Sequence, residues 1–253
     1  MKLNKNMTLI TLLITIFHLS YMDLKSRYRR SFLGPWWIVI GTGLGSAGLG
    51  YMWSIMFKLN PSEMIPAITI GLISWIFLSS AVIDSCNTFI ASGDLLKNYN
   101  LPFYFYPMFQ VSKKINDFFH SLLIVIIMFF IYPNILNINL LLFFPGIIIV
   151  CINIFLISSF LGLLTARFRD IQQLVTSIMP LIFFISPVLF KIEQLENLKF
   201  LMWINPFTYF ITVIKNPLLG TIPDPYIYYV NFGFMIIGLA FLFLLKKQFK
   251  KIT

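Results

Sequence analysis

The chain has 253 residues, of which 58% are hydrophobic, 17% aromatic and only 11% charged, and it carries a formal net charge of +10. That composition excludes a soluble globular domain and indicates an all-α integral membrane protein, because a bilayer core of about 30 Å is crossed by roughly 20 apolar residues per helix. The apolar runs are continuous and lack the period-two alternation of a membrane β-barrel.

Residues 1–31 come first. Met7–Met22 is short for a span, Thr8, Thr11, Thr15 and His18 form a polar stripe at helical spacing, and basic clusters flank the segment on both sides. Spanning would strand one cluster outside, so the segment is expected to be an amphipathic interfacial helix. Lys25, Arg27, Arg29 and Arg30 then anchor a cytoplasmic elbow, Gly34-Pro35 breaks the backbone, and Trp36-Trp37 sit at headgroup depth.

The first span is Trp36–Phe57. Gly41 and Gly45 stand in GxxxG register, which lets another backbone approach closely. Thr42, Ser46, Gly50 and Ser54 recur every four residues, a hydroxyl-rich face that suits a hydrated path for a sugar polymer and would equally serve hydrogen bonds between helices. Tyr51 and Trp53 at the outer end are candidates for the same path, or members of an aromatic belt.

The second span is Ala67–Phe89. After it, Asp94, Lys97 and Asn98 alternate with Leu95, Leu96, Tyr99 and Leu101 in a short amphipathic pattern stopped by Pro102, so residues 93–103 offer a cytoplasmic docking segment. In the third span, Tyr106–Tyr132, Asp117 lies three and four residues after Lys114 and Lys113, which is ion-pair spacing. Leu140–Thr165 forms the fourth span, Arg167 and Arg169 anchor the loop after it, and Leu174–Phe190 forms the fifth.

The external connection 191–226 is too apolar for a solvated loop, yet FLMWI and PFTYFITVI are each too short to span. Two short helices broken at Asn205-Pro206 are expected to dip into the outer leaflet, with Trp203 and Tyr209 available for stacking on sugar faces or for an aromatic belt. Ile227–Leu245 completes six spans. Fifteen of the 19 lysines and arginines fall on one side of this map: six before the first span, three between the second and third, two between the fourth and fifth, and four at the C-terminus. Both termini are therefore expected in the cytoplasm, and the positive charge reads as a topology signal rather than a nucleic-acid footprint.

Chemistry-bearing constellations are few. No Gly-Lys dipeptide occurs, which rules out the phosphate-binding loop GxxxxGK[ST], so any ATP is hydrolysed by another chain. His18 and His120 show no ligand spacing and no metal site is expected. Cys86 and Cys151 read as apolar packing residues. A membrane-embedded glycosyl- or acyltransferase would need a convergent acid, base and nucleophile, which these scattered carboxylates do not offer.

The stretch DLKSRYRRSFLGPWW (Asp23–Trp37) closely resembles the entrance motif of permease subunits in the bacterial polysaccharide-export ABC transporter family, whose members export O-antigens, capsules and teichoic acids. The resemblance continues in FIASGDLLKNYNLPFYFYP (Phe89–Pro107), LTARFRDIQQL (Leu164–Leu174), SPV (Ser186–Val188) and INPFTYFITVIKNPLLG (Ile204–Gly220), with Lys215 standing where members commonly carry Arg. It implies one permease domain over 1–253, a type-2 exporter working as a homodimer with two separate ATP-binding subunits that carry the ATP and Mg. Residues 93–103 would be the coupling helix, 191–226 the gate helices, and a lipid-linked polysaccharide, most plausibly an O-antigen, the cargo. Capsule, teichoic acid or a small lipid or drug are the alternatives within transport.

The topology is checked with a membrane-impermeant maleimide. Cysteines at Asn60, Asn137 and Asn197 should react from outside and those at Ser26, Asn98 and Arg169 should not. Outside labelling at Ser26 would reverse the parity of the whole map.

Overall fold

The computed structural model describes residues 8–93, 101–133, 138–190 and 199–249. Among them all regular structure is helical: α1 (Leu9–Arg27), α2 (Trp36–Phe57), α3 (Pro61–Ser85), α4 (Phe105–Ile131), α5 (Leu140–Arg167), α6 (Asp170–Ile185), α7 (Lys199–Ile204), α8 (Pro206–Leu218) and α9 (Pro225–Phe249). Five of these, α2, α3, α4, α5 and α9, are long and apolar enough to cross a bilayer, whereas α1 is not among them. The protein is a multi-pass membrane protein, and α1 is not one of its candidate spans.

Helix ends follow local chemistry. Asn60, Asn139 and Asn205 each cap a helix start, their side chains accepting from the amides of Ser62 (3.0 Å), Leu142 (3.3 Å) and Phe207 (2.9 Å). Pro61 and Pro206 follow two of these caps at the first helical position, where no amide is needed. The second span therefore starts at Pro61 rather than Ala67. Between α2 and α3 the chain reverses within Lys58–Asn60, Lys58 taking a left-handed φ of 53°, with the Leu59 amide donating to the Ser54 carbonyl at 2.9 Å. α1 continues past Met22 to Arg27, since nothing in Asp23–Arg27 opposes a helix.

α3 is the central element, buried over most of its length, and α2, α4, α5, α6 and α8 all pack on it. The main core gathers Ile68, Trp75, Leu78, Val150, Ile211 and Ile214 among others. Polar side chains stitch the helices across this core: Thr88 meets Ser158 at 3.1 Å, and Asn153 donates to the carbonyl of Asn231 at 3.3 Å.

The fifth span departs from the sequence reading. α6 covers Asp170–Ile185, and at about 1.5 Å per residue its 16 residues fall short of a 30 Å core. Ser186 turns extended and Pro187 cannot continue the ladder, yet Ser186–Leu189 stay buried. The rest of the ascent is irregular backbone covered by protein, the one circumstance in which a bilayer tolerates it.

That cover depends on Gly71 of α3. A Cβ there would strike the Val188 carbonyl oxygen and come within 3.2 Å of Val188 Cα, backbone that cannot step aside. Gly71→Ala should destabilise the purified subunit by about 1–3 kcal/mol, whereas Gly45→Ala, with nothing within 4 Å of its added methyl, should change the detergent melting curve little. Equal melting of the two variants would contradict this packing.

Candidate functional site

One end of the bundle is organised by α1 lying along the first half of α4. Leu12 and Ile16 pack with Phe105 and Tyr106, Ser20 meets Ser112 at 2.8 Å, and Asn116 donates to Ser20 at 3.0 Å. At the far end of this seam Arg27 donates both guanidinium amines to Asp117, at 2.9 and 3.2 Å, while its Nε approaches Asp23 at 3.2 Å. Partial burial works against the Arg27 charge, but the Asp117 hydrogen bond and the two carboxylates outweigh it and raise its pKa. Lys114 pairs with Asp84 and so ties α4 to α3. Asp117 thus bridges helices through Arg27 rather than pairing with Lys113 or Lys114 on its own helix, and the Lys113 ammonium sits 4.9 Å from the centre of the Phe109 ring.

Of the expected docking segment, Asp94, Leu95, Leu96, Lys97 and Tyr99 lie outside the described residues. Leu101 is described and is 6% exposed, packed in the α1–α4 cluster with Phe89 and Leu163. This corrects its reading as a partner-facing residue: it fixes the returning limb of the segment to its own chain. Of the anchoring cations, Lys25, Arg29, Arg30, Arg167 and Arg169 are exposed, with Arg167 lying over the Phe168 ring at 5.2 Å.

The expected hydroxyl path on α2 is also corrected. Ser46 and Ser54 are buried in the seam with α3, where Thr69 Oγ1 lies 2.9 Å from Ser46 Oγ, and a Cβ at Gly50 would meet Ile65 Cα at 2.8 Å. Ser54 donates to the Tyr51 carbonyl at 2.7 Å, and Thr42 is only half-buried. A period of four marked one face correctly, but that face is packed. The opposite face, through Gly41, Gly45 and Gly48, has nothing within 4 Å of an added Cβ, and Tyr51 there is exposed. α6 is similarly uncovered, Met179 being its one buried residue, and it presents Gln173, Thr176 and Ser177 beside Leu174, Leu181 and Phe184.

At the opposite end, α7 and α8 realise the two short helices broken at Asn205-Pro206. Asn205 caps α8 and also donates to Ser186 Oγ at 2.8 Å, joining this connection to the end of α6. Lys215, 6% exposed, donates to the carbonyls of Pro187 (2.8 Å) and Val188 (3.4 Å). Sequence reasoning flagged Lys215 and the SPV and Asn-Pro strings separately, but nothing in their spacing showed that they meet. Trp203, Tyr209 and Tyr226 cluster with ring centroids 5.3–6.5 Å apart, and Tyr209 donates to the Trp203 carbonyl at 2.9 Å. Burial raises the Tyr209 phenol pKa, and both expected path aromatics are half-buried in contact with each other rather than free.

No three His, Cys, Asp or Glu side chains converge among the described residues. The arrangement is thus a helical scaffold with one ion-paired end, an uncovered middle on α2 and α6, and a hydrogen-bonded turn at the opposite end.

A model of the family described as ABC-2 type transporter matches residues 14–219. The chain is 26% identical over 240 residues to the O-antigen export system permease protein RfbA of Klebsiella pneumoniae, covering 91% of each chain. It is 25% identical over 176 residues to the RfbA of Myxococcus xanthus, covering 69% of this chain and 67% of the relative.

The turn that joins Asn205 to Ser186 is tested by a double-mutant cycle. Asn205→Ala should cost about 1 kcal/mol as a lost cap, and its combination with Ser186→Ala should reveal a coupling of about 0.5–1.5 kcal/mol. Strictly additive losses in chemical unfolding would mean that the bond between the two side chains contributes nothing.

Proposed function

Because the chain belongs to the ABC-2 type transporter family, we propose that it is the permease subunit of an ATP-driven exporter that moves a lipid-linked polysaccharide, foremost an O-antigen, across the bacterial inner membrane. The observation that carries this reading is the likeness, along 91% of both chains, to permeases named for O-antigen export. The family is one of transport subunits, so this chain supplies the passage. ATP and Mg are held by two copies of a separate ATP-binding subunit, which engage the cytoplasmic segment 93–103. Both termini face the cytoplasm in this arrangement.

Two copies of the chain would form the passage between them. The uncovered faces of α2 and α6 support this, since a membrane helix with one buried residue is completed by a partner or by lipid, and open glycines suit a partner backbone. Thr176 and Ser177 donate to the carbonyls of Gln172 and Gln173 at 2.8 and 2.9 Å, which leaves their oxygens able to accept from sugar hydroxyls. Such a wall offers many exchangeable hydrogen bonds and no tight site. Binding and hydrolysis of ATP would shift the inner ends of α3 and α4, which the segment 93–103 joins.

Removing the gene should abolish surface polysaccharide and trap lipid-linked polymer inside, and surface polymer at wild-type levels would refute the cargo. Gly45→Phe should leave insertion and melting of the subunit unchanged yet lower export, because the ring would obstruct a neighbouring copy. Leu95→Ala with Leu96→Ala should release or uncouple the ATPase, since truncating two interface anchors costs about 2 kcal/mol or more. If that variant keeps co-purification and export at wild-type levels, coupling lies elsewhere, in 7–30 or 167–173.

A further inference from the structure

The four cations of the elbow are not equivalent. Arg27 is committed to Asp117 and Asp23, whereas among the described residues neither Lys25 nor Arg29 enters an ion pair. Both instead line an open cavity of about 720 Å³ bordered by the C-terminal half of α1, the elbow and α4, with Ser26, Tyr28, Gly34 and His120 among its walls. Arg27 pairs with both Asp23 and Asp117 and offsets one of their two charges, and Lys25 and Arg29 exceed the one that remains, so the cavity keeps a net positive charge. His120 Nδ1 lies 2.8 Å from the Asn116 carbonyl, which can only accept, so Nδ1 carries the proton and Nε2 is left for another partner.

We propose that this cavity holds the phosphate headgroup of an anionic glycerophospholipid of the inner leaflet. Three observations select that ligand. The elbow leads directly into the span α2, and exposed Tyr21, Trp36 and Trp37 surround this region with rings of the kind that settle at headgroup depth. Lys25 and Arg29 are themselves exposed, so their hold on a phosphate is weak and salt-screened. A weak site is filled by a lipid present in bulk rather than by a scarce export intermediate, and it discriminates by charge, which favours phosphatidylglycerol over a zwitterion. A bound headgroup bridges α1, the elbow and α4, so leaflet charge adds to Arg27 in holding α1 on α4.

This inference rests on membrane insertion and on the cytoplasmic placement of the N-terminal segment, and stands or falls separately from the export reading. The delipidated permease, with its ATPase subunit where they co-purify, is titrated with phosphatidylglycerol or phosphatidylethanolamine and bound lipid is counted by native mass spectrometry. Wild type should retain phosphatidylglycerol at least tenfold better. Arg29→Gln should lower that retention at least fivefold, Arg29→Lys should preserve it, and Arg30→Gln, an equal loss of charge at a neighbour that does not line the cavity, should leave it near wild type. Equal loss for Arg29→Gln and Arg30→Gln would reduce the site to a diffuse field and overturn the proposal. So would equal binding of the two phospholipids, or binding of undecaprenyl phosphate alone, which would assign the cavity to the exported carrier.

Discussion

In a bilayer a backbone amide or carbonyl that leaves its helix must find a partner in protein, because lipid offers none. Here the constraint bites at Ser186–Leu189, where α6 stops short of the span it begins. Two elements answer it, α8 with its cap and α3. Lys215 of α8 donates to the Pro187 and Val188 carbonyls, Asn205 donates to Ser186, and Gly71 of α3 gives up its side chain so that the turn can lie against the central helix. The broken pair α7 and α8 is thus the lid over an incomplete helix as much as an element in its own right. Its burial of a lysine, ordinarily expensive at such a place, is balanced by carbonyls that would otherwise be left without donors.

Much of this architecture was legible in the sequence. Trp36–Phe57 could be bounded from Gly34-Pro35 at one end and a polar turn at the other, and the break at Asn205-Pro206 announced two short helices. The boundaries that slipped did so for local reasons. The second span was read from Ala67, although the asparagine cap and Pro61 had already begun α3, and the basic elbow concealed a helix running on to Arg27.

The candidate site was less legible, because periodicity identifies a face and not its neighbour. Thr42, Ser46, Gly50 and Ser54 do share one side of α2, but that side faces α3. Lys113, Lys114 and Asp117 carry the spacing of pairs within a helix, yet the carboxylate and one of the amines reach across to α1 and α3. Leu101 belongs to an amphipathic pattern, yet it is itself buried in a cluster of its own chain. Contacts between residues ninety positions apart leave no trace in local pattern, and the distinction between a docking surface and an internal seam consists of such contacts.

The reversal at Lys58–Asn60 has a mechanical meaning. With so short a tip, a left-handed lysine and the Leu59 to Ser54 bond closing it, α2 and α3 cannot slip past each other by a helical turn without opening the hinge pin at their shared end. Ser46 against Thr69 and Gly50 against Ile65 key the two shafts together along their length. The pair is therefore built as one lever, with the bare glycine strip on one arm and, at the C-terminal end of the other, the lead into residues 93–103.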